Sequence, residues 1–166
     1  MMGSGLTAWN FREVDILTGQ GVEVRGYPTK WTEGPYMPRP EWAFRRPSWL
    51  RSLLAQPAAL LRYRRRYVVL LAQALRRGCL PEFLMAADDS RDMQDAGVEH
   101  IHCHFGDRKL FVGYFASRLT GLPVTVTVHA YEILMNPNPA MFRRAAEHWE
   151  TVVAGWQVNK RELGNR

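Results

Sequence analysis

Three histidines alternate in the segment His100, His102 and His104. A fourth, His129, closes an apolar run and is followed by Ala130, Tyr131 and Glu132. Alternation places the first three imidazoles on one face of a strand. Three imidazoles can hold zinc, but side chains two apart on a strand stand about 6–7 Å from each other, too wide to converge on one ion without a bend. The reading is therefore no metal, with His104 reaching a ligand and His100 and His102 packing under a helix or meeting solvent. His129 stands where a strand should end, and a hydrogen-bond donor there can stabilise negative charge developing on a leaving group. The alternative for it is a half-buried imidazole bonded to a backbone carbonyl. Gly106, Asp107, Arg108 and Lys109 have the composition of a helix start. Asp107 suits the N-cap, and the helix terminus with two cations beside it attracts anions. A capped, solvated helix start is the alternative. No cofactor is implied.

A second group of residues is basic and aromatic. Arg45, Arg46, Arg51, Arg62, Arg64, Arg65, Arg66, Arg76 and Arg77 interleave with Trp42, Trp49, Tyr63, Tyr67 and a series of leucines and valines. Arg with Trp and Tyr around an amphipathic helix is suited to lying on an anionic bilayer. In one continuous helix Arg62 and Arg66 share a face while Arg64 points nearly opposite, so Arg62, Arg65 and Arg66 are the expected membrane-surface residues. The alternative is a solvated basic helix packed on the domain. The net charge of +6 suits an anionic partner. No nucleic-acid recognition motif accompanies it, and nucleic acid is not the expected partner.

The elements that must position these residues fall into two regions. Phe11 to Gln20 reads as a short helix ending near Gly19 and Gly21, and residues 21–27 alternate like a strand. Residues 28–47 carry five of the ten prolines and read as a loop covering a surface. Residues 48–77 read as helix in two pieces, broken or restarted at Pro57, with a shorter helix after Pro81. From Val98 the pattern is regular. Residues 98–105 form a strand, 106–121 a helix closed by Gly121, and 123–130 a strand dense in β-branched residues. Residues 136–149 form a helix opened by a Pro-rich turn, 151–155 a strand, and 157–166 the start of another helix. Strands alternating with helices mean βαβ units on a parallel sheet, with ligands beyond the carboxyl ends of the strands. His104 and His129 both fall there.

The 166 residues, 46% of them apolar, suit one domain with a single core. No apolar run is long enough for a transmembrane helix, and MMGSGLTAWN lacks the pattern of a secretory signal. Two cysteines make no disulfide framework and fit a reducing cytoplasm.

The stretch HIHCHFGDRKLFVGYFASRLTGLPVTVTVHAYEILMNPNPAM, residues 100–141, resembles the amino-terminal domain of family 4 glycosyltransferases, especially those that build exopolysaccharides. Its most specific parts are HFGDRK and VTVHAYE. The likeness continues more weakly into TVVAGWQVNKREL, and back into FREVDILTGQGVEVRGYPTK. The resemblance implies an α/β, Rossmann-like parallel sheet flanked by helices, one half of a GT-B fold. It implies a retaining, metal-independent transfer from a nucleotide-sugar donor to a glycan or lipid-linked acceptor, at the cytoplasmic face of a membrane. It assigns His129 to the donor sugar and phosphate region, as the catalytic residue, and raises acceptor contact for Gly106, Asp107, Arg108 and Lys109; His104, Tyr131 and Glu132 are the other expected substrate-binding residues. Departures accompany it. The family's first strand and Gly-rich loop are expected ahead of Phe11, where the sequence reads MMGSGLTAWN. Trp156 stands where the family has a helix-capping Ser. A donor domain with a paired-glutamate motif is expected after this one. The chain thus reads as a truncated acceptor-side domain, inactive alone, with an open sheet edge between the strands ending at Tyr27 and Phe105. The alternative is a non-catalytic binding module that pairs with a separate donor domain.

Overall fold

The computed structural model describes residues 6–105, 107–128, 136 and 138–148, and the backbone of 151–154. The chain divides into two compact units, Met1–Ser48 and Trp49–Arg166.

In the first unit, Ala8–Gly19 forms α1, capped by Thr7, whose hydroxyl accepts from the Asn10 amide at 3.2 Å. The expected strand over 21–27 is only two residues long, Arg25–Gly26 (β1). It pairs in parallel with Ala43–Phe44 (β2), inside the segment expected to be loop. The physical reason is local. Between Pro40 and Pro47 no proline interrupts the chain, and Arg45 donates its amide to the Gly26 carbonyl at 2.9 Å. Gly26 is required at this crossing, because a Cβ there would overlap the Phe44 ring. A small aromatic core holds the rest. Phe11 meets Trp42 at 5.0 Å between ring centroids, and the Arg39 guanidinium lies over both rings while pairing with Asp15.

The second unit opens with helices. Residues 48–77 are broken twice, into Trp49–Leu54 (α2), Gln56–Tyr63 (α3) and Arg65–Arg76 (α4). Pro57 restarts the helix in the first turn of α3, as expected. The second break, at Arg64, departs from the two-piece expectation. Its φ of 45° lies in a region that non-glycine residues rarely adopt and that cannot continue a helix. Residues 62 and 66 therefore do not share one helix face. The helix containing Pro81 is long, Leu80–Asp95 (α5), and it buries the acidic pair Asp88 and Asp89. Arg51 explains part of this, donating from Nε to Asp88 Oδ2 at 2.9 Å.

Then come Ile101–His104 (β3), Arg108–Thr120 (α6), Val124–Val128 (β4), Pro139–Ala146 (α7) and Thr151–Ala154 (β5). The three strands form one parallel sheet in the order β3-β4-β5, with Cys103 opposite Val126 and Val128 opposite Ala154. The architecture is thus α/β with parallel pairing, in two small sheets. Among the described residues β3 is an edge strand of its sheet.

Helix α6 is the centre of the core. Asp107 caps its start, and Gly121 ends it in the left-handed conformation at φ 88°, both as the sequence indicates. Leu110 through Ser117 are all buried, so the helix is apolar all round and not amphipathic. Its Phe115 meets Phe83 of α5 edge to face at 5.5 Å, and Gly113 lets it sit directly against Cys103 of β3. Along β4 the pattern alternates. Val124, Val126 and Val128 are buried, while Thr125 and Thr127 share the opposite face with the β3 histidines.

Candidate functional site

The histidine face is held by threonine hydroxyls. His100 Nε2 and His102 Nδ1 both lie 2.8 Å from Thr125 Oγ1, and His102 Nε2 lies 3.1 Å from Thr127 Oγ1. These pairs follow from register, since residues 102 and 104 of β3 lie opposite 125 and 127 of β4. As expected, His100 and His102 are exposed. His104 is half-buried and is the last residue of β3, at the carboxyl end of the strand. Its ring packs edge-on to His102 at 4.8 Å.

The next residue, Phe105, has φ 74°, an unusual conformation for a bulky side chain at the exit of a strand. It is fixed from both sides. Its amide donates to the Thr127 carbonyl at 2.9 Å, and the Lys109 ammonium lies 4.7 Å from its ring centroid. Backbone strain of this kind concentrates at functional sites.

Asp107, Arg108 and Lys109 are brought together at the start of α6, each with a partner inside the chain. Asp107 accepts from the Lys109 amide at 2.9 Å and from its ammonium at 2.7 Å. Its carboxylate therefore already sits where an external anion would meet the helix terminus. Arg108 turns to α5 and donates to Glu82 Oε1 at 2.7 Å. The structure thus gives Arg108 a bridging contact to a buried carboxylate, a partner that nothing near it in the sequence indicates. Gly106, His129, Tyr131 and Glu132 lie outside the described residues, as do Trp156 and the helix expected after it.

The expected membrane residues separate in space. Arg62 donates to Asp95 at 2.8 Å, and this contact holds its guanidinium pKa up. Arg66 donates to the Leu119 carbonyl at 3.3 Å. With Arg65 it lines a cleft at the opposite end of the sheet from His104, beside Leu122, Pro123 and Val124 where β4 begins. Around these arginines α2–α4 leave large apolar side chains in solvent. Trp49, Leu50, Leu53, Leu54, Leu61 and Leu75 are each more than half exposed. A cluster of that size is unusual for a surface that meets only water. Among the described residues no helix is long and apolar enough to cross a membrane.

Sequence reasoning missed Glu82, Arg118 and His148. Glu82 carries a weak signal as an acid in the first turn of a helix. Arg118 interrupts the apolar run of α6, but nothing local says what it faces.

Fold and site together define an α/β protein with a three-stranded parallel sheet and a histidine and a capped helix at the strand ends. In comparisons with known proteins the chain matches no family model, no curated protein and no solved structure.

Proposed function

We propose that this chain is the acceptor-side, Rossmann-like half of a GT-B glycosyltransferase, working on the cytoplasmic face of an anionic membrane. One observation carries the reading. Among the described residues the run β3-α6-β4-α7-β5 is a parallel β-α-β-α-β unit, and His104 and Asp107 lie at the carboxyl end of its first strand, where such folds bind ligands. The strained Phe105 between them adds support. The reaction would move a sugar from a nucleotide-sugar to a lipid-linked or oligosaccharide acceptor, with the acceptor met by this half. His104 would hydrogen-bond an acceptor hydroxyl, and the positive end of α6 would orient its polar part. The exposed apolar side chains of α2–α4 suit a lipid-borne acceptor.

A second reading is a non-catalytic module that pairs with a separate donor domain. It is favoured by the internal satisfaction of Asp107, Arg108 and Lys109, which leaves a capped helix start rather than an open anion site.

Calorimetry on the whole chain tests the proposal. Lipid-linked and free oligosaccharides should bind, His104→Ala should weaken them about fivefold, as loss of one hydrogen bond worth about 1 kcal/mol implies, and nucleotide-sugars should bind at millimolar levels at best. Micromolar binding of a nucleotide-sugar, or no binding of any acceptor, overturns it.

A further inference from the structure

The cleft at the amino-terminal end of the sheet has a chemistry of its own. It measures about 510 Å³ and is built where the start of α4, the end of α6, the start of β4 and the residue His148 after α7 come together. Three arginines line it, Arg65, Arg66 and Arg118. None of the three has a carboxylate partner among the described residues, although Arg25, Arg39, Arg51, Arg62, Arg108 and Arg144 of the same chain each do. Gathering three like charges around one cavity is unfavourable unless an anion offsets them. Arg66 is held in place by the Leu119 carbonyl, so its orientation does not depend on a ligand.

The polar lining continues on one wall. Ser117 Oγ donates to the Leu122 carbonyl at 2.6 Å and lies 3.1 Å from His148 Nε2. Ser117 is buried, and Tyr114 stacks edge-on to the His148 ring at 5.7 Å, so this pair is a fixed part of the wall. The remaining lining is apolar, with Val69 and Leu70 from α4 and Leu122, Pro123 and Val124 from the entry to β4. A purely inorganic anion would leave that apolar surface unused. A second cleft, lined by Arg62, Arg64, Arg65 and Arg66 around the helix break, shares Arg65 and Arg66 with the first. Val69, an exposed apolar side chain of α4, lines the first cleft beside these arginines.

We infer that this cleft binds a phosphate-bearing amphiphile, its phosphate held by Arg65, Arg66 and Arg118 and its first apolar carbons lying against Val69, Leu70 and Val124. Guanidinium groups suit phosphate because their paired N–H donors match two of its oxygens. The site lies at the opposite end of the sheet from His104, so it stands or falls independently of the acceptor reading.

The test uses the whole chain and a short-chain phosphatidylglycerol below its micelle concentration, followed by calorimetry at low and physiological salt. Inorganic phosphate and a neutral short-chain phosphatidylcholine are run beside it. Arg118→Gln reports on the cleft, because Arg118 lines it from α6 and is not among the α2–α4 residues that carry the exposed apolar side chains. Arg76→Gln, in the last turn of α4 and outside the lining, is the charge-matched control. Both positions are exposed, and matching melting curves for the two variants establish that each is folded. The expected result is saturable binding of the anionic lipid, weakened about tenfold or more by Arg118→Gln and less than twofold by Arg76→Gln. Equal weakening by the two variants would mean diffuse charge attraction and overturns the site. So does phosphate binding as tightly as the lipid, which would leave the apolar lining without a role. Binding of the neutral lipid at the same strength, or no binding of the anionic lipid at low salt, overturns it as well.

Discussion

Arg108 Nη1 donates to Glu82 Oε1 at 2.7 Å, joining the first turns of α6 and α5. The two ends of this pair differ in environment. The Glu82 side chain is 7% exposed and that of Arg108 65%, and Glu82 Oε2 makes no hydrogen bond among the described residues. The buried carboxylate thus relies on one cation that approaches from solvent. The substitution Arg108→Met should destabilise the chain by about 1–3 kcal/mol, the usual cost of orphaning a buried acceptor. Adding Glu82→Gln should recover part of that loss, because the neutral amide is less costly to bury. Urea unfolding of the single and double variants checks it. If Arg108→Met leaves the chain as stable as wild type, the pair is a surface contact only.

Gly113 marks the closest approach of α6 to the sheet, since a Cβ there would overlap the Cys103 sulfur. Helix propensity favours alanine over glycine by about 1 kcal/mol, yet overpacking a core costs about 1–3 kcal/mol. With Cys103 buried, Gly113→Ala should be net destabilising. The double variant Gly113→Ala, Cys103→Ala should be more stable than Gly113→Ala alone, because the removed sulfur makes room for the new methyl. Additive losses in the double variant would refute the steric account.

Burial pushes the Cys103 thiol up to about 12 and the Cys79 thiol up to about 11, with Glu82 adding to the second. In the unfolded chain thiols lose their protons near pH 8.5, roughly. The stability these protonated thiols contribute is present in full below that value. It is lost as pH rises toward the folded values, so unfolding should become easier between about pH 9 and 11. At pH 8 alkylation of Cys103 should wait on opening of the core, at least about a thousandfold slower than in the unfolded chain for a stability of about 5 kcal/mol. Prompt labelling of Cys103 in the native protein would contradict its placement.

Anionic vesicles should bind the α2–α4 surface, more strongly at low salt. Leu53→Ser with Leu54→Ser should lower binding at least tenfold, roughly, and equally at all salt concentrations, since each leucine buried in lipid contributes about 1.5–3 kcal/mol. Arg64→Gln or Arg65→Gln should remove about 1 kcal/mol each, and only at low salt. Arg62→Gln combined with Asp95→Asn should change little, because the ion pair contributes no net charge. Cosedimentation measures all four variants. A loss in that double variant as large as at Arg65 would show that the ion pair does not persist at the surface.

Much of the second unit is legible in the sequence because its signals are local. Asp107 and Gly121 bracket α6 by cap chemistry, and the alternation of Val124 to Val128 fixes both the strand and the face it buries. Signals that depend on distant partners are not legible. Asp88 and Asp89 look like solvent-facing acids, yet α5 buries them, with Arg51 and Ser52 on another helix meeting Asp88. An arginine at 64 gives no hint of a left-handed turn. The pairing of β1 with β2 hides within a proline-rich stretch because six proline-free residues suffice for two bridges. Of the site, the order of His104 and Asp107 along the chain is readable, whereas Glu82 reaches Arg108 only through packing of α5 on α6. The arginine cleft likewise depends on four segments meeting in space.

Asn138 makes connections of a different kind. Its side-chain oxygen accepts from the Met141 amide at 3.1 Å and caps α7, while its amide nitrogen donates to the Arg77 carbonyl at 2.7 Å and to the Cys79 sulfur at 3.3 Å. One side chain thus holds the first turn of α7 and the bend between α4 and α5, segments some 60 residues apart in sequence. Release of either releases the other. In amide hydrogen exchange the start of α7 and the α4–α5 bend should therefore open as a single cooperative unit, with matching protection. The chain's fluctuations would be partitioned across the sequence by this residue, and the smallest piece able to come loose would be two segments at once.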